Sequence, residues 1–354
     1  MDNYISKIKT PSVSIAPMVD KTVKHFRYFC RIITKKSLLY TEMISTYAIK
    51  HGDRRKILDF DSFEKPLALQ IAGSDPKEVY EAVKIAEDWD YDEINLNVGC
   101  PSDKVSGHCM GAVLMAYPEL VAEMVSSIRK ATKKPITVKH RIGIDGKNIL
   151  PLSFNKTLFD RYEDMENFIK IVSKAGVDRF TIHARIAILA GLNPKENREI
   201  PPLRYEDVYK LKKNYRDLNI EINGGIKTLS EIEKHLKYVD GVMIGRIAYK
   251  DPFMLSKVDK VFDDGQIHNI TRREIIERMI PYVEKVEDRG NWHGYSALQH
   301  MFGLFHNKKG SKEWRNIITP PWQNGYTARD ILIEALKTLP QEILNETPII
   351  DIQP

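Results

Sequence analysis

A (β/α)8 barrel followed by a smaller all-α domain is the fold predicted by the sequence, and three observations predict it. From Val13 to Tyr249, short β-branched runs alternate with amphipathic segments of helical period, and eight strand candidates can be counted. After Asp251-Pro252 the strand signal stops and only helical segments and Gly-, Pro- and Asn-rich loops follow. The length, 354 residues, exceeds one average domain but suits a barrel of about 250 residues plus an appendage. We therefore expect a barrel over residues 1–255 and a helical domain over 256–354.

The expected strands are Val13–Pro17, Leu38–Met43, Leu67–Ala72, Glu93–Val98, Ile136–His140, Arg179–Ala184, Ile220–Asn223 and Gly241–Ile244. They read as near-continuous apolar runs, as strands do when a parallel sheet is covered by helices. Between them lie Lys24–Ile33, Pro76–Asp88, Leu120–Ala131, Met165–Lys174, Tyr205–Lys213 and Leu229–Leu236, while the stretch after Met43 has no clear period. Asp75-Pro-Lys-Glu78 and Thr228-Leu-Ser-Glu231 have the spacing of capping boxes. The first strand runs into Ala16-Pro-Met-Val-Asp-Lys21 rather than a GxGxxG turn, which argues against an open dinucleotide-binding sheet. Gly146 to Asp160, after the fifth strand, is too polar and Pro-broken for a helix and reads as a long loop. In the second domain, Arg272–Asp288, Tyr295–Phe305 and Ala328–Lys337 read as helices. Trp292, Tyr295, Trp314 and Trp322 are read as packing residues of that domain, with base stacking as the alternative.

Composition narrows the classes. With 42% hydrophobic and 29% charged residues the chain is globular, and no apolar run approaches a membrane span. Cys30, Cys100 and Cys109 are too few for a disulfide framework or a zinc site of paired spacing, so a reducing compartment and no metal are expected. Met1 to Pro11 lacks the apolar region of a secretory signal, and a soluble, cytoplasmic monomer without a membrane partner is the expectation. The net charge of +6 divides into about +8 over the first 250 residues and about −2 over the rest. A basic surface for nucleic acid therefore belongs mainly to the barrel.

Polar residues gather at the C-terminal ends of the strands, where barrels do their chemistry. They are Gln70, Asn95 and Asn97, Lys139-His140-Arg141, His183 with Arg185, Asn223-Gly224-Gly225, and Gly245-Arg246. An uncompensated polar group in an apolar strand costs several kcal/mol, so such a ring implies a polar ligand. Glycine turns after the seventh and eighth strands let backbone N–H groups approach a phosphate, and Arg246 adds a charge-assisted bond. The Ala16-Pro17-Met18 end of the first strand would then lie against the ring of a phosphorylated cofactor. Lys139 is the candidate for holding negative charge on a reduced flavin.

Asn95-Leu-Asn-Val-Gly-Cys-Pro-Ser-Asp103 together with Val138-Lys-His-Arg-Ile-Gly-Ile-Asp145 resembles the tRNA-dihydrouridine synthases. His183-Ala-Arg185 and Gly191 through Leu203, with Asn193-Pro-Lys-Glu-Asn-Arg198 at its centre, resemble their A subgroup (DusA). The likeness runs from Ile15 to about Phe253, with a weaker echo at His300-Met-Phe-Gly-Leu-Phe305. It implies an FMN enzyme that uses NADPH to reduce uridines of the tRNA D-loop, at positions 20 and 20a, to 5,6-dihydrouridine. Hydride would pass from flavin N5 to uracil C6 and a proton from Cys100 to C5. FMN would touch the backbone at Pro17 and Met18, the side chains of Gln70, Lys139 and His183, and the turns Asn223–Gly225 and Gly245–Arg246. Asn97 and Arg185 match positions that meet the uridine or its tRNA.

A thiol of ordinary pKa, about 8.5, is mostly protonated at neutral pH and suits a proton donor to carbon. Cys30, in an amphipathic segment, and Cys109, in a Gly-rich loop, carry no such role. A uracil must leave its stack to reach a barrel mouth, and the tRNA elbow would then lie on Lys104, Arg141, Arg185, Lys195 and Arg198, with the helical domain as a second wall. Two departures from the subgroup stand out: the stretch Gly146–Asp160 is longer than expected, and Gln299 precedes His300-Met301 where an arginine is expected. Gln299 retains hydrogen bonding toward the tRNA but not the charge. The alternatives are an FMN barrel of the dihydroorotate dehydrogenase type acting on a free pyrimidine, and a non-catalytic RNA-binding descendant.

Overall fold

Eight parallel strands follow one another round a barrel, and the computed structural model describes residues 8–102, 110–151, 153–262, 265, 268–287, 293–323 and 325–348. The strands are β1 (Val13–Ile15), β2 (Leu39–Ser45), β3 (Leu67–Ala72), β4 (Glu93–Val98), β5 (Ile136–Asp145), β7 (Arg179–Ile188), β8 (Ile220–Asn223) and β9 (Gly241–Ile244). A two-residue β6 (Leu158–Phe159) runs antiparallel to the end of β5. The ring closes between β1 and β2, where the Ile15 N–H donates to the Leu38 carbonyl at 2.9 Å and the Leu38 N–H to the Val13 carbonyl at 3.2 Å.

Alternation along each strand decides what faces where. Ile94, Leu96 and Val98 on β4 are fully buried and join the main apolar core under the helices. Full burial of such a side chain contributes roughly 1.5–3 kcal/mol, which fixes the register against a one-residue slip. The intervening residues, Glu93, Asn95 and Asn97, bond to residues of other strands instead. Arg179 on β7 reaches the Tyr40 hydroxyl on β2 at 2.9 Å; those strands are not neighbours, so the contact crosses the barrel interior. Ala16, Leu38, Tyr40, Ala68 and Met243 form a small apolar cluster of their own.

His140 corrects one expectation. It alternates with Lys139 and packs outward on Phe168 and Phe180, so it does not join the polar ring at the mouth. Burial and the neighbouring Lys139 depress its pKa to about 4, although its bond to the Arg141 carbonyl favours the charged form, so the ring is neutral.

Most helices lie where the period places them, including Lys24–Ile33 and Leu229–Leu236. The Thr228 box is reciprocal, whereas Asp75 caps Lys77 and Glu78 without a return bond from Glu78. The unassigned stretch after Met43 forms two short helices, Thr46–His51 and Arg54–Leu58, each with a side-chain cap from Ser45 or Asp53. Gly146–Asp160 is not wholly loop, because β6 extends β5 into a hairpin.

Beyond the barrel, Arg272–Glu287, His293–Leu298, Ser311–Ile318, Ala328–Thr338 and Gln341–Leu344 are helical, with a 3-10 stretch over Gln299–Phe305. These helices rest on Lys24–Ile33, where His25 Nδ1 meets the Tyr282 hydroxyl at 2.7 Å, and on Arg246–Lys250, where the Tyr249 hydroxyl meets His300 Nδ1 at 3.2 Å. Close approach demands a glycine at Gly303, where a Cβ would come within 2.7 Å of the Lys250 and Tyr249 carbonyls. Trp314 is buried and donates to the Met301 carbonyl, and Trp322 packs edge-on to Tyr295; Trp292 lies outside the described residues. Among the described residues, no helix is long and apolar enough to cross a membrane.

Candidate active site

Inside the barrel the polar side chains form two layers. In the floor, Arg179 lies between two buried carboxylates: its Nη2 is 2.7 Å from Glu93 Oε2, and its Nε is 3.7 Å from Glu221. Burial works against the guanidinium's charge, but Glu93, Tyr40 and Glu221 outweigh it and its pKa is raised. Glu221 accepts from the Ser14 and Thr181 hydroxyls at 2.6 and 2.5 Å, while burial raises its pKa against the pull of Arg179. None of these three charged residues belongs to the polar set expected from the sequence. Their signal is the period of two in Glu93-x-Asn95-x-Asn97, Arg179-x-Thr181-x-His183 and Glu221-x-Asn223.

A chain of hydrogen bonds climbs from the floor to the mouth. Thr137 donates to Glu93 at 2.5 Å, Asn95 to Thr137 at 2.8 Å, Gln70 to Asn95 at 2.7 Å, and Asn97 to Gln70 at 2.8 Å. At its top, Asn97 Oδ1 accepts the backbone N–H groups of both Gly99 and Cys100 at 3.1 Å. Cys100 is thus held by a side chain whose other end is anchored in the barrel. Gln70, with both ends of its amide engaged, retains one N–H and one lone pair for a ligand.

Lys139 stands beside Asn97 in the β4–β5 register, and its ammonium donates to Asn223 Oδ1 at 3.3 Å. Burial, then the nearby Arg141, lowers its pKa to about 8, while Glu221 and Cys100 favour the charge. Asn223 in turn donates to the Met243 carbonyl at 2.8 Å. His183 pairs in register with Asn223 and is held well below its usual pKa by burial and by Arg141, Lys139, Arg185 and Arg198, so it is neutral. Gly224 and Gly225 turn at φ 121° and 74°; a Cβ on Gly224 would lie 2.7 Å from the His183 ring. At Gly245 a Cβ would meet only Ala16 at 3.7 Å, so space lies open over the β1–β9 end, where Pro17 and Met18 leave the barrel.

Arg141 departs from its expected place on the tRNA-facing rim. It is 2% exposed and donates to the carbonyls of Gly99, Ile186 and Asn197, bracing the cysteine segment against the Asn193–Arg198 block. Burial lowers its pKa to about 10. Arg185 donates to the Pro201 and Glu199 carbonyls, and its buried Nε has no partner; the same holds for Nε of Arg198. Lys195 is exposed, and exposed Arg246 pairs with Glu199 at 2.7 Å. Gln299 donates to the Ser296 carbonyl at 3.2 Å among the C-terminal helices, while Lys104 and Cys109 lie outside the described residues. Cys30 is buried, its thiol raised by desolvation.

Comparison with known proteins shows the family. The profile of the family described as "Dihydrouridine synthase (Dus)" matches residues 14–338. A tRNA-dihydrouridine(20/20a) synthase of Synechocystis sp. is 50% identical over 307 residues, covering 87% of this chain and 88% of that protein. One from Vibrio vulnificus is 46% identical over 332 residues, covering 94% and 98%. Among solved structures, a 2-naphthoyl-CoA reductase in complex with 2-naphthoyl-CoA superposes with a TM-score of 0.52 at 12% identity, over 89% of this chain and 58% of that one, a likeness of fold. The chain belongs to the dihydrouridine synthase family.

Proposed function

We propose that the chain reduces uridines at positions 20 and 20a of tRNA to 5,6-dihydrouridine, with bound FMN and with NADPH as reductant. The observation that carries the reading is that Asn97, whose Oδ1 accepts the Cys100 N–H, lies opposite Lys139 in the β4–β5 register. The mouth fits a phosphorylated flavin: Lys139 has one acceptor at 3.3 Å, Gly224 and Gly225 turn at positive φ, and the space over Gly245 is open. Pro17, Met18, Gln70, Lys139, His183, the turn Asn223–Gly225 and Gly245–Arg246 would hold the cofactor. When bound, FMN supplies the hydride that reaches uracil C6.

The protein's own residues do the rest. Lys139 places a cation where negative charge builds on the cofactor side, in a site too dry to screen it. His183, neutral, serves as a hydrogen-bond partner without adding a second charge. Cys100 Sγ–H gives its proton to C5 as C6 is reduced, and Asn97 keeps that sulfur on station. Arg185, Lys195 and Arg198, with Lys104 and Gln299, are the residues we assign to the tRNA.

Incubating the protein with NADPH and unmodified tRNA and mapping dihydrouridine position by position tests the reading. Product is expected at 20 and 20a, and Cys100→Ala should keep its FMN yet lose about 10²–10⁴-fold in turnover. Reduction of free uracil or orotate without tRNA, or full turnover by Cys100→Ala, would overturn it.

A further inference from the structure

The turn Asn223–Gly225 carries two consecutive glycines, and a peptide between two glycines can present either face at little steric cost. Which face it presents decides whether an anion meets an N–H or a carbonyl. Gly224 is buried and Gly225 exposed, and among the described residues no acceptor takes the N–H of either. Buried N–H groups left unpaired are rare, and successive ones form a concavity suited to an anion.

Tyr205 sets the orientation of that peptide. It is the first residue of the helix Tyr205–Asn214, and its hydroxyl donates to the Gly224 carbonyl at 2.7 Å. The Gly224–Gly225 peptide is trans, so with its carbonyl drawn toward Tyr205 the Gly225 N–H points the opposite way. Burial, then Glu231, raises the tyrosine's pKa against the pull of Arg185, so the hydroxyl keeps its proton and remains a donor.

The tyrosine is itself braced. Its ring meets that of His235 edge-on at 4.6 Å, and His235 Nδ1 meets the Tyr209 hydroxyl at 2.7 Å. The N–H of Arg204, the residue before it, donates to the Ala184 carbonyl at 2.8 Å, which ties the start of the helix to β7 between His183 and Arg185. Space is tight as well: a Cβ on Gly225 would lie 2.9 Å from the Tyr205 hydroxyl and 2.6 Å from Leu203. Arg246, the charged residue expected at a phosphate, is half exposed and paired with Glu199 at 2.7 Å, so the backbone N–H groups have a larger share in fixing an anion here.

We propose that Tyr205 is a positioning residue for the cofactor's phosphate: by holding the Gly224 carbonyl, it keeps the N–H side of the turn toward the anion. The inference rests on the FMN reading above and deepens it with a residue that acts through the backbone.

The test uses the full chain loaded with FMN or with riboflavin, which has the same ring and no phosphate; release on dilution gives the affinity for each. Tyr205→Phe keeps the ring against His235 and removes only the hydroxyl. It should weaken FMN about 3–10-fold and leave riboflavin unchanged, so that the preference for FMN falls by the same factor. The absorption spectrum of the bound flavin should stay that of wild type, with the urea midpoint as a control on folding. Wild-type FMN affinity in Tyr205→Phe would overturn the proposal, as would an equal loss for both flavins, which would make the tyrosine a packing residue only. Wild-type protein that binds no flavin would instead overturn the reading of the mouth on which the proposal rests.

Discussion

Floor and mouth of the barrel are built on the same strands, yet they treat charge in opposite ways. In the floor, one cation lies among two carboxylates, a tyrosine and two hydroxyls, and Arg179 faces opposite charge on both sides even though its Nε makes no hydrogen bond. In the mouth, Lys139, Arg141, Arg185 and Arg198 crowd together, and burial, then their mutual repulsion, lowers the pKa of Lys139, Arg141 and His183. Such crowding costs stability, and it persists in folded proteins where a ligand repays it. The floor is a closed account of opposite charges and the mouth an open excess of one sign, which is how a scaffold is told from a site when both are buried and polar.

Arg179→Met breaks the comparison hardest. It leaves two carboxylates buried without a cation, and the expected loss is about 3–5 kcal/mol, read from the urea midpoint at pH 7. A midpoint within about 0.5 kcal/mol of wild type would mean that the floor carries no structural charge. Asn97→Ala joins the layers less violently, removing the acceptor of two backbone N–H groups and the donor to Gln70. We expect turnover to fall about 10–100-fold through misplacement of Cys100, with KM for tRNA little changed; equal loss in KM would argue for direct tRNA contact.

The mildest probe is pH. Lys139 has its folded pKa lowered to about 8, against about 10.4 for a free lysine. The unfolded chain therefore holds this proton over that window, so the group costs stability below about pH 8, and stability rises as pH climbs from about 8 to 10.4. FMN affinity should move the other way, weakening above pH 8 by up to about tenfold per unit as the ammonium is lost. Titrating FMN into the cofactor-free protein at pH 7 and 9, beside Lys139→Met, checks it; an equal slope in the variant would remove Lys139 from the site.

Much of this architecture is legible in the sequence. Leu67–Ala72, Glu93–Val98, Ile220–Asn223 and Gly241–Ile244 form strands as read, because an apolar outward face leaves one register open to them. Pairing along a strand is harder to read than its existence. Lys139, His140 and Arg141 look alike in sequence, but alternation sends His140 out to Phe168 while Arg141 is claimed by three backbone carbonyls. The floor escaped notice for a related reason. Glu93, Arg179 and Glu221 lie at the starts of strands, where a charge ordinarily meets water, and 86 residues separate Glu93 from its partner Arg179. The helices after Met43 are short enough that their caps, rather than any period, define them.

The floor also bears on how the molecule can be assembled. Glu93 comes from β4, Arg179 from β7, Glu221 from β8, Tyr40 from β2 and Ser14 from β1. Neither half of the chain contains the whole set: a fragment ending after β5 would carry Glu93 without its arginine, and the remainder would carry Arg179 and Glu221 without Glu93. Half-barrels of this sequence are therefore poor folding modules, and the ring must close as one cooperative act, with its first and last strands both present before the middle is at rest.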